Sequence, residues 1–332
     1  MHHLPISITG TGHALPQKGL DSETLDKMHG LKTGWLRRKS GVAFRHLCTD
    51  EDQIDLAVLA AQRAMEDARV EIDNIDLILS GSAIPYQSLP ATAPLIMQRL
   101  GAKGGAAAAF DVNATCLSFV TALDLAAGRI ALGQSKRALV ISSEIASRAL
   151  PWQKQPDVAA LFGDGAAAAV VSAPLHNEAG IRASLVRTHP AAYDACQIGA
   201  GGTRIDYHRN PKEFAENALF RMDGKALFKV TRRHFPAFVE TLLDKAGWRK
   251  SDVDVVVPHQ ASPHALSHMS RKMGFRQGSV MNVAEQLGNQ IAASIPTVLD
   301  IARREGRIVK GSKVLLLGTS AGVSFGGMAI EV

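Results

Sequence analysis

The chain carries the same pattern of strands and helices twice, about 178 residues apart. The apolar run that follows Asp76 (D-L-I-L-S) matches the run that follows Asp254 (D-V-V-V-P), and 254 − 76 = 178. The Gly-Arg-Ile triplet at 128–130 recurs at 306–308, with the same offset. A constant offset across separate elements indicates an internal duplication. Chance similarity between two ordinary α/β halves is the alternative explanation.

Short apolar runs that are typical of buried strands alternate with segments of helical apolar spacing. Strands are predicted at 77–83, 137–144, 166–172, 253–259, 313–320 and 327–332, and helices at 54–69, 90–100, 117–132, 223–246, 263–273 and 292–305. Near-continuous apolar strands separated by helices indicate sheets that are covered on both faces. We therefore expect an α/β fold of two halves, residues 1–175 and 176–332, with functional residues between them.

The composition excludes several classes of protein. Of 332 residues, 46% are apolar and 20% are charged, which supplies a core and argues against disorder. Cys48, Cys116 and Cys196 lack the spacing of a zinc site and are too few for a disulfide framework. The sequence shows no signal-peptide pattern, no apolar run of about 18 residues and no long basic block. We expect a cytoplasmic protein that binds no metal, membrane or nucleic acid.

Cys116 is the strongest candidate for a reactive residue. It lies in A-F-D-V-N-A-T-C-L-S-F-V, at the start of the predicted helix 117–132. Because N–H groups at a helix start carry partial positive charge, we expect the thiol pKa to lie below the value of about 8.5 for a free cysteine. The residues that follow are small or apolar, which predicts a thiol at the buried end of a tunnel. An inert buried cysteine is the alternative.

Two polar residues of the second half are candidates to act with Cys116. His259 ends a predicted strand, and the carboxyl ends of strands are where α/β sheets bind ligands. Asn289 precedes a helix start. Alone, each is more typical of a structural histidine or a capping asparagine, but a cysteine with a distant His and Asn forms a nucleophile constellation. At the offset of 178 residues, Cys116 would lie opposite Ser294.

Two glycine-rich segments, 162–169 and 318–327, are not nucleotide-binding loops. Neither contains the G-K-S/T of a phosphate-binding loop, and the first leads into a strand rather than a helix. The second can bring backbone N–H groups close to a developing oxyanion. It is therefore a candidate for half of an oxyanion hole.

The chain resembles the β-ketoacyl-acyl carrier protein synthase III family of the thiolase superfamily. The resemblance is carried by Cys116 in D-V-N-A-T-C, His259 in P-H-Q-A, Asn289 in G-N-x-x-A-A-S, the F-G-D-G segment and the glycine-rich C-terminal strand. It runs from W-L-R-R-K-S-G-V at 35–42 to the last strand. It implies a duplicated five-layer α-β-α-β-α fold, usually a homodimer, which uses a CoA thioester as substrate and needs no cofactor.

The resemblance also implies a reaction, the decarboxylative Claisen condensation of fatty acid biosynthesis or a related pathway. Cys116 would accept the acyl group of an acyl-CoA. Malonyl-acyl carrier protein would then bind and lose carbon dioxide while His259 and Asn289 donate hydrogen bonds to its thioester oxygen. The backbone N–H of Cys116 and one from Ala321 or Gly322 would hold the oxyanion.

The substrate-binding positions match the family only partly. Trp35 matches the aromatic residue that stacks on the CoA adenine, but the usual arginine partner before F-G-D-G is missing. Lys229, Arg271 and Lys272 stand at basic positions that dock the carrier protein, whereas His264 replaces a docking arginine. We therefore expect both CoA and carrier protein to bind, with altered contacts.

Leu89 stands where many members of the family have a phenylalanine that closes the acyl pocket across the dimer. The smaller residue predicts a primer longer than acetyl. One alternative is a specialised enzyme of secondary metabolism that uses a longer or unusual acyl-CoA, or a CoA-bound acceptor. Two others are a Cys-His-Asn thioester hydrolase, which the internal repeat disfavours, and a non-catalytic carrier-binding subunit, which the presence of all three polar residues disfavours.

Overall fold

The computed structural model describes residues 3–174 and 179–332, so the expected boundary between residues 175 and 176 lies outside the described residues. The strands are β1 (Ser7–Ala14), β2 (Gly19–Asp21), β3 (Phe44–His46), β4 (Leu77–Ser80), β5 (Ala108–Asp111), β6 (Arg137–Glu144), β7 (Gly165–Ser172), β8 (Gly180–Thr188), β9 (Cys196–Gln197), β10 (Arg221–Met222), β11 (Val255–Pro258), β12 (Lys313–Ser320) and β13 (Ser324–Glu331). The α-helices are α1 (Ser22–Met28), α2 (Trp35–Ser40), α3 (Gln53–Ala68), α4 (Thr92–Arg99), α5 (Ser118–Ala131), α6 (Pro156–Ala159), α7 (Pro211–Asn217), α8 (Gly224–Ala246), α9 (Pro263–Lys272), α10 (Ala284–Leu287) and α11 (Ser294–Arg304).

Two sheets with the same strand order confirm the duplication. The first sheet has the order β1-β7-β6-β4-β5, and the second has the order β8-β13-β12-β11. Corresponding strand pairs also run in the same relative direction. The pairs β1–β7 and β8–β13 are antiparallel, as are β7–β6 and β13–β12, whereas β6–β4 and β12–β11 are parallel. A single parallel bridge between Val256 and Val280 takes the place of the fifth strand in the second sheet.

The helices and the two sheets form the five layers that the family resemblance implies. Helices α5 and α11 lie between the sheets, where Phe119, Leu123, Ile295 and Leu299 share one apolar cluster with strand residues of both sheets. Helix α3 covers the outer face of the first sheet and α8 covers the outer face of the second. The two central helices therefore begin inside the molecule, where the halves meet.

Predicted strands and helices agree with the structure except where glycine or exposure disguises the pattern. The predictions for 137–144 and 313–320 coincide with β6 and β12. β1 was not predicted because Gly10 and Gly12 interrupt it, yet a Cβ at Gly10 would come within 2.3 Å of a carbonyl oxygen of α3. These glycines allow the helix to pack closely against the strand. Among the described residues, no helix is long and apolar enough to cross a membrane.

Candidate active site

Cys116 lies in a tight turn at the start of a central helix. The turn is a single 3₁₀ turn, Thr115–Leu117, which leads directly into α5. Thr115 has a φ of 51°, a left-handed conformation that L residues adopt rarely. Its backbone N–H donates to the side-chain oxygen of Asn113 at 2.9 Å, which supports the turn. The sequence thus folds back sharply and places the thiol at the helix start.

The second half of the molecule contains the same turn. Ile291–Ala293 is a 3₁₀ turn that leads into α11, and Ile291 has a φ of 50°. The side-chain oxygen of Asn289 accepts the Ile291 N–H at 2.8 Å, just as Asn113 does in the first half. The two turns are therefore structural equivalents, with one carrying the thiol and the other carrying the amide.

The prediction that Cys116 lies opposite Ser294 is wrong. Ser294 is instead the equivalent of Ser118, because both hydroxyl oxygens accept the backbone N–H four residues earlier, at 3.1 and 2.9 Å respectively. The offset is thus 176 residues here, two fewer than between strands β4 and β11. Ala292 is the residue equivalent to Cys116, so the second half has no polar group at that position.

Leu117, the residue after Cys116, packs the turn against the sheet of the second half. A Cβ added to Gly318 of β12 would come within 2.7 Å of the Leu117 side chain, and one added to Gly326 of β13 would come within 2.8 Å. These two glycines are paired across the strands. They leave a depression in the second sheet, which Leu117 of the first half fills.

Two of the predicted oxyanion donors contact the Cys116 sulfur. The backbone N–H groups of Ala321 and of Cys116 itself both hydrogen-bond to the Cys116 thiol. Ala321 lies in the turn between β12 and β13. The next residue, Gly322, has a φ of 122°, which a side chain would make unfavourable. This glycine-rich turn is therefore formed from the second half and directed at the nucleophile of the first.

Burial raises the pKa of the Cys116 thiol, with smaller contributions from Cys196 and Glu144, and this outweighs the lowering by the two backbone N–H groups. The expected depression of its pKa by the helix start is therefore wrong. The cause is desolvation, which penalises a thiolate inside the protein. The resting side chain is a neutral thiol.

His259 directly follows β11, and a hydrogen bond from its own backbone N–H fixes its position. Its N–H donates to the Leu317 carbonyl of the neighbouring strand at 2.7 Å, and the residue is only 6% exposed. Burial lowers the pKa of the imidazole to about 4, so the ring is neutral at pH 7. Its Nδ1 is buried and has no hydrogen-bond partner in the described part of the chain. A buried polar nitrogen without a partner is suited to a substrate group.

The F-G-D-G segment positions Asn289. The Asn289 N–H donates to the Leu161 carbonyl at 2.8 Å, and Gly163 returns a hydrogen bond to the Asn289 carbonyl at 3.2 Å. A Cβ at Gly163 would lie 2.2 Å from the Leu287 carbonyl oxygen, so only glycine permits this approach. Because the Asn289 side-chain oxygen is already used within its turn, the amide nitrogen is the end left to donate.

Sequence reasoning missed two groups beside the nucleophile. Glu144 is a carboxylate with 0% exposure at the end of β6, and Cys196 lies in β9 close enough to affect the Cys116 titration. The available signal for Glu144 was a charged residue that ends an otherwise apolar strand, R-A-L-V-I-S-S-E. No sequence signal distinguished Cys196 from an ordinary buried thiol.

The predicted CoA-binding residue Trp35 begins α2 and packs in an apolar cluster with Trp152. The Lys39 ammonium lies 5.8 Å from the Trp35 ring centroid. Trp152 in turn stacks on His29 at 4.2 Å between ring centroids. The aromatic surface that the sequence predicted at Trp35 therefore has a neighbouring cation, although on α2 rather than before F-G-D-G.

The predicted docking residues lie exposed on two adjacent helices, Lys229 on α8 and His264, Arg271 and Lys272 on α9. The helices meet where Phe228 and His268 contact each other, with 5.7 Å between ring centroids. His264 also lies against the loop that follows α2, since a Cβ at Gly41 would be 3.3 Å from its ring. The structure thus gathers α2, α8 and α9 on one surface.

Leu89 lies on the segment between β4 and α4 and is 85% exposed. The Gln87 side chain donates to the Leu89 carbonyl at 2.6 Å, which orders the segment locally. Within the described residues, no cluster of His, Cys, Asp or Glu is arranged to hold a metal ion.

The chain matches known proteins along nearly its whole length. Residues 110–190 match the family described as 3-oxoacyl-(acyl-carrier-protein) synthase III, and residues 243–332 match the description of its C-terminal part. Beta-ketoacyl-(acyl-carrier-protein) synthase III 3 of Streptomyces coelicolor is 36% identical over 97% of this chain and 96% of its own length. The chain belongs to the 3-oxoacyl-(acyl-carrier-protein) synthase III family. The Neisseria gonorrhoeae member is 32% identical over 98% of both chains.

A solved structure of a 3-oxoacyl-(acyl-carrier-protein) synthase III confirms the fold. The enzyme from Aquifex aeolicus VF5 is 30% identical and superposes with a TM-score of 0.88 over 98% of this chain and all of its own. The resemblance stated from the sequence is therefore confirmed at the level of family and fold. The synthase III fold brings Cys116, His259 and Asn289 to the region where the halves meet.

We predict that alkylation of Cys116 by iodoacetamide accelerates about tenfold per pH unit from pH 7 to 9, without a plateau, because the thiolate is the nucleophile and burial raises its pKa. The rate is measured by intact mass. Cys116→Ser supplies the background from the other two cysteines, since burial also raises the pKa of Cys48, to about 12, and that of Cys196, to about 11. A plateau below pH 8 would show that the helix start controls the thiol after all.

Proposed function

We propose that this protein condenses an acyl-CoA primer with malonyl-acyl carrier protein to give a β-ketoacyl product, in keeping with relatives that are named β-ketoacyl-(acyl-carrier-protein) synthase III. The observation that carries the proposal is the environment of the Cys116 sulfur. Two backbone N–H groups hydrogen-bond to it, and a neutral His259 and an oriented Asn289 are supplied by the other half. This set provides a nucleophile, an oxyanion hole and two donors.

The first step is acyl transfer from CoA to the protein. The Cys116 sulfur attacks the thioester carbonyl, the C–S bond to CoA breaks, and the thiol proton leaves with CoA as its own thiol. We assign the N–H groups of Cys116 and Ala321 to the oxyanion of the tetrahedral intermediate, because both contact the sulfur to which that intermediate is bonded. A protonated resting thiol is consistent with this exchange, because one thiol replaces another and no net proton is released.

The second step is decarboxylative condensation. The malonyl carboxylate leaves as carbon dioxide, and its bonding electrons form an enolate that attacks the acyl-cysteine carbonyl. The C–S bond to Cys116 then breaks, and the thiolate takes up a proton. A neutral His259 and the amide nitrogen of Asn289 donate hydrogen bonds to the enolate oxygen. Burial favours this role for His259, because a ring with a pKa near 4 is a poor base but keeps an N–H to donate.

The binding surfaces are proposed on charge and shape. The aromatic face of Trp35 with the Lys39 cation is suited to the adenine and phosphates of CoA. The exposed cations of α8 and α9, Lys229, Arg271 and Lys272, are suited to an acidic carrier protein. We further propose a homodimer, as the family resemblance implies, with the exposed Leu89 side chain at the contact between the subunits. The two functional halves are divided near residues 175 and 176.

We predict that Cys116→Ala forms no acyl adduct with acyl-CoA, whereas His259→Ala and Asn289→Ala form one but condense it at least a hundredfold more slowly, since only the second step needs their hydrogen bonds. Intact mass measures the adduct, and product release from malonyl-acyl carrier protein measures condensation. Failure of His259→Ala to form any adduct would contradict this division of roles.

The same experiment separates the other candidate functions. A thioester hydrolase would turn over acyl-CoA to free acid without any need for malonyl-acyl carrier protein. A non-catalytic carrier-binding subunit would show no adduct on the wild-type protein. Accumulation of an acyl-enzyme that disappears only when the malonyl donor is added supports condensation.

A primer longer than acetyl is the second candidate for the substrate, and Leu89 favours it. A leucine leaves more space than an aromatic ring at the position that the resemblance assigns to the pocket wall. This would suit a specialised enzyme of secondary metabolism, whether its acceptor is bound to carrier protein or to CoA.

We predict that the wild-type protein is acylated faster by octanoyl-CoA than by acetyl-CoA, and that Leu89→Phe reverses this order by filling the pocket. Initial rates of adduct formation are compared for acetyl-, octanoyl- and a dicarboxylic acyl-CoA. Leu132→Phe is the matched control, because Leu132 is also an exposed leucine but follows the far end of α5. A strict acetyl preference in the wild-type protein would contradict the proposal.

A further inference from the structure

Glu144 is a fully buried carboxylate that the reaction as described does not use. It ends β6 with 0% exposure. One carboxylate oxygen accepts the Ala83 N–H at 2.5 Å and the other accepts the Ile84 N–H at 3.4 Å. The Ala292 N–H also hydrogen-bonds to it. Burying a carboxyl group costs free energy unless such donors compensate for the lost water, so its presence at this position calls for an explanation.

The three donors connect Glu144 to two parts of the site. Ala83 and Ile84 begin the segment that runs from β4 to Leu89. Ala292 is in the turn after Asn289, at the position equivalent to Cys116. The Glu144 side chain therefore joins the segment between β4 and Leu89, in the first half, to the turn of the second half that follows Asn289.

The equivalent contact exists on the other side of the pseudo-symmetric molecule. Ser320 ends β12, and 320 − 144 = 176, the same offset as between the two turns. Its hydroxyl donates to the Ala114 carbonyl at 2.9 Å and also contacts the Thr115 hydroxyl. In each half, the last residue of a central strand thus hydrogen-bonds to the helix-start turn of the opposite half, and we call each of these contacts a clasp. The Ser320 clasp holds the turn with the thiol, and the Glu144 clasp holds the turn next to the Asn289 amide.

The two clasps differ in the number of groups that they join. The Ser320 hydroxyl contacts the turn that carries the thiol, whereas Glu144 accepts hydrogen bonds from Ala83 and Ile84 of its own half and from Ala292 of the other half. Burial raises the pKa of Glu144 to about 8, against these three N–H donors, which favour the charged form.

We propose that Glu144 is a positioning residue for condensation, which fixes the Asn289 turn through Ala292 and ties it to Ala83 and Ile84 of the other half. The inference rests on the proposed function. The clasp keeps the Asn289 amide in reach of the enolate oxygen, which forms only in the second step. A purely structural role for Glu144 would instead change adduct formation and condensation alike.

The test compares Glu144→Gln with Glu144→Asp. Glutamine keeps the size but places an NH₂ group against a backbone N–H, whereas aspartate keeps both acceptor oxygens but shortens the clasp. We expect Glu144→Gln to form the acyl adduct at the wild-type rate and with an unchanged KM for acyl-CoA. We expect it to condense at least tenfold more slowly, because only condensation needs the Asn289 amide in place.

Glu144→Asp should also form the adduct normally but condense slowly, because the shorter side chain weakens the contacts that join the two halves. Glu240→Gln changes an exposed carboxylate paired with Lys250; it is the matched control and should change neither rate. Thermal unfolding checks that each variant is folded. Wild-type condensation in folded Glu144→Gln would overturn the inference, as would an equal loss of adduct formation and condensation. If the wild-type protein forms no acyl adduct, the proposed function itself fails.

Discussion

The close approach of Leu117 to the second sheet is the contact on which the site depends. Gly318 and Gly326 leave no side chain between the strand backbone and this leucine, so the first central helix begins deep inside the opposite half. The thiol of Cys116 comes within hydrogen-bonding range of the Ala321 N–H as a result. A larger residue at either glycine would move the turn, because packed interiors adjust only slightly.

The exchange of contacts between the halves explains both the geometry and the electrostatics of the site. Each helix-start turn belongs to one half and is held by the strand end of the other, through Ser320 or Glu144. The same enclosure removes water from the thiol and the imidazole, which raises the pKa of Cys116 and lowers that of His259 to about 4. Both groups are therefore neutral before substrate enters. In the proposed reaction, negative charge develops on the oxyanion and the enolate, which the backbone and side-chain donors stabilise.

Much of this arrangement could be predicted from the sequence, for reasons that also explain the errors. Cys116, His259 and Asn289 were identifiable because they follow strands or precede helices in a repeated pattern. The pKa of Cys116 was not, because the pKa of a thiol depends on burial, which local sequence does not encode. The equivalence with Ser294 failed because the repeat loses two residues between strand and turn. Glu144 was overlooked because its donors, Ala83, Ile84 and Ala292, are distant in sequence and are all backbone groups.

The most direct test of the account is the acylation rate of Cys116 in Gly326→Ala, followed by intact mass with an acyl-CoA. The added methyl group would lie 2.8 Å from the Leu117 side chain, so we predict acylation at least tenfold slower in a protein that still unfolds cooperatively. Gly104→Ala, where a Cβ meets nothing within 4 Å, is the control and should react as the wild type does. Wild-type acylation of folded Gly326→Ala would contradict the claim that this contact positions the nucleophile.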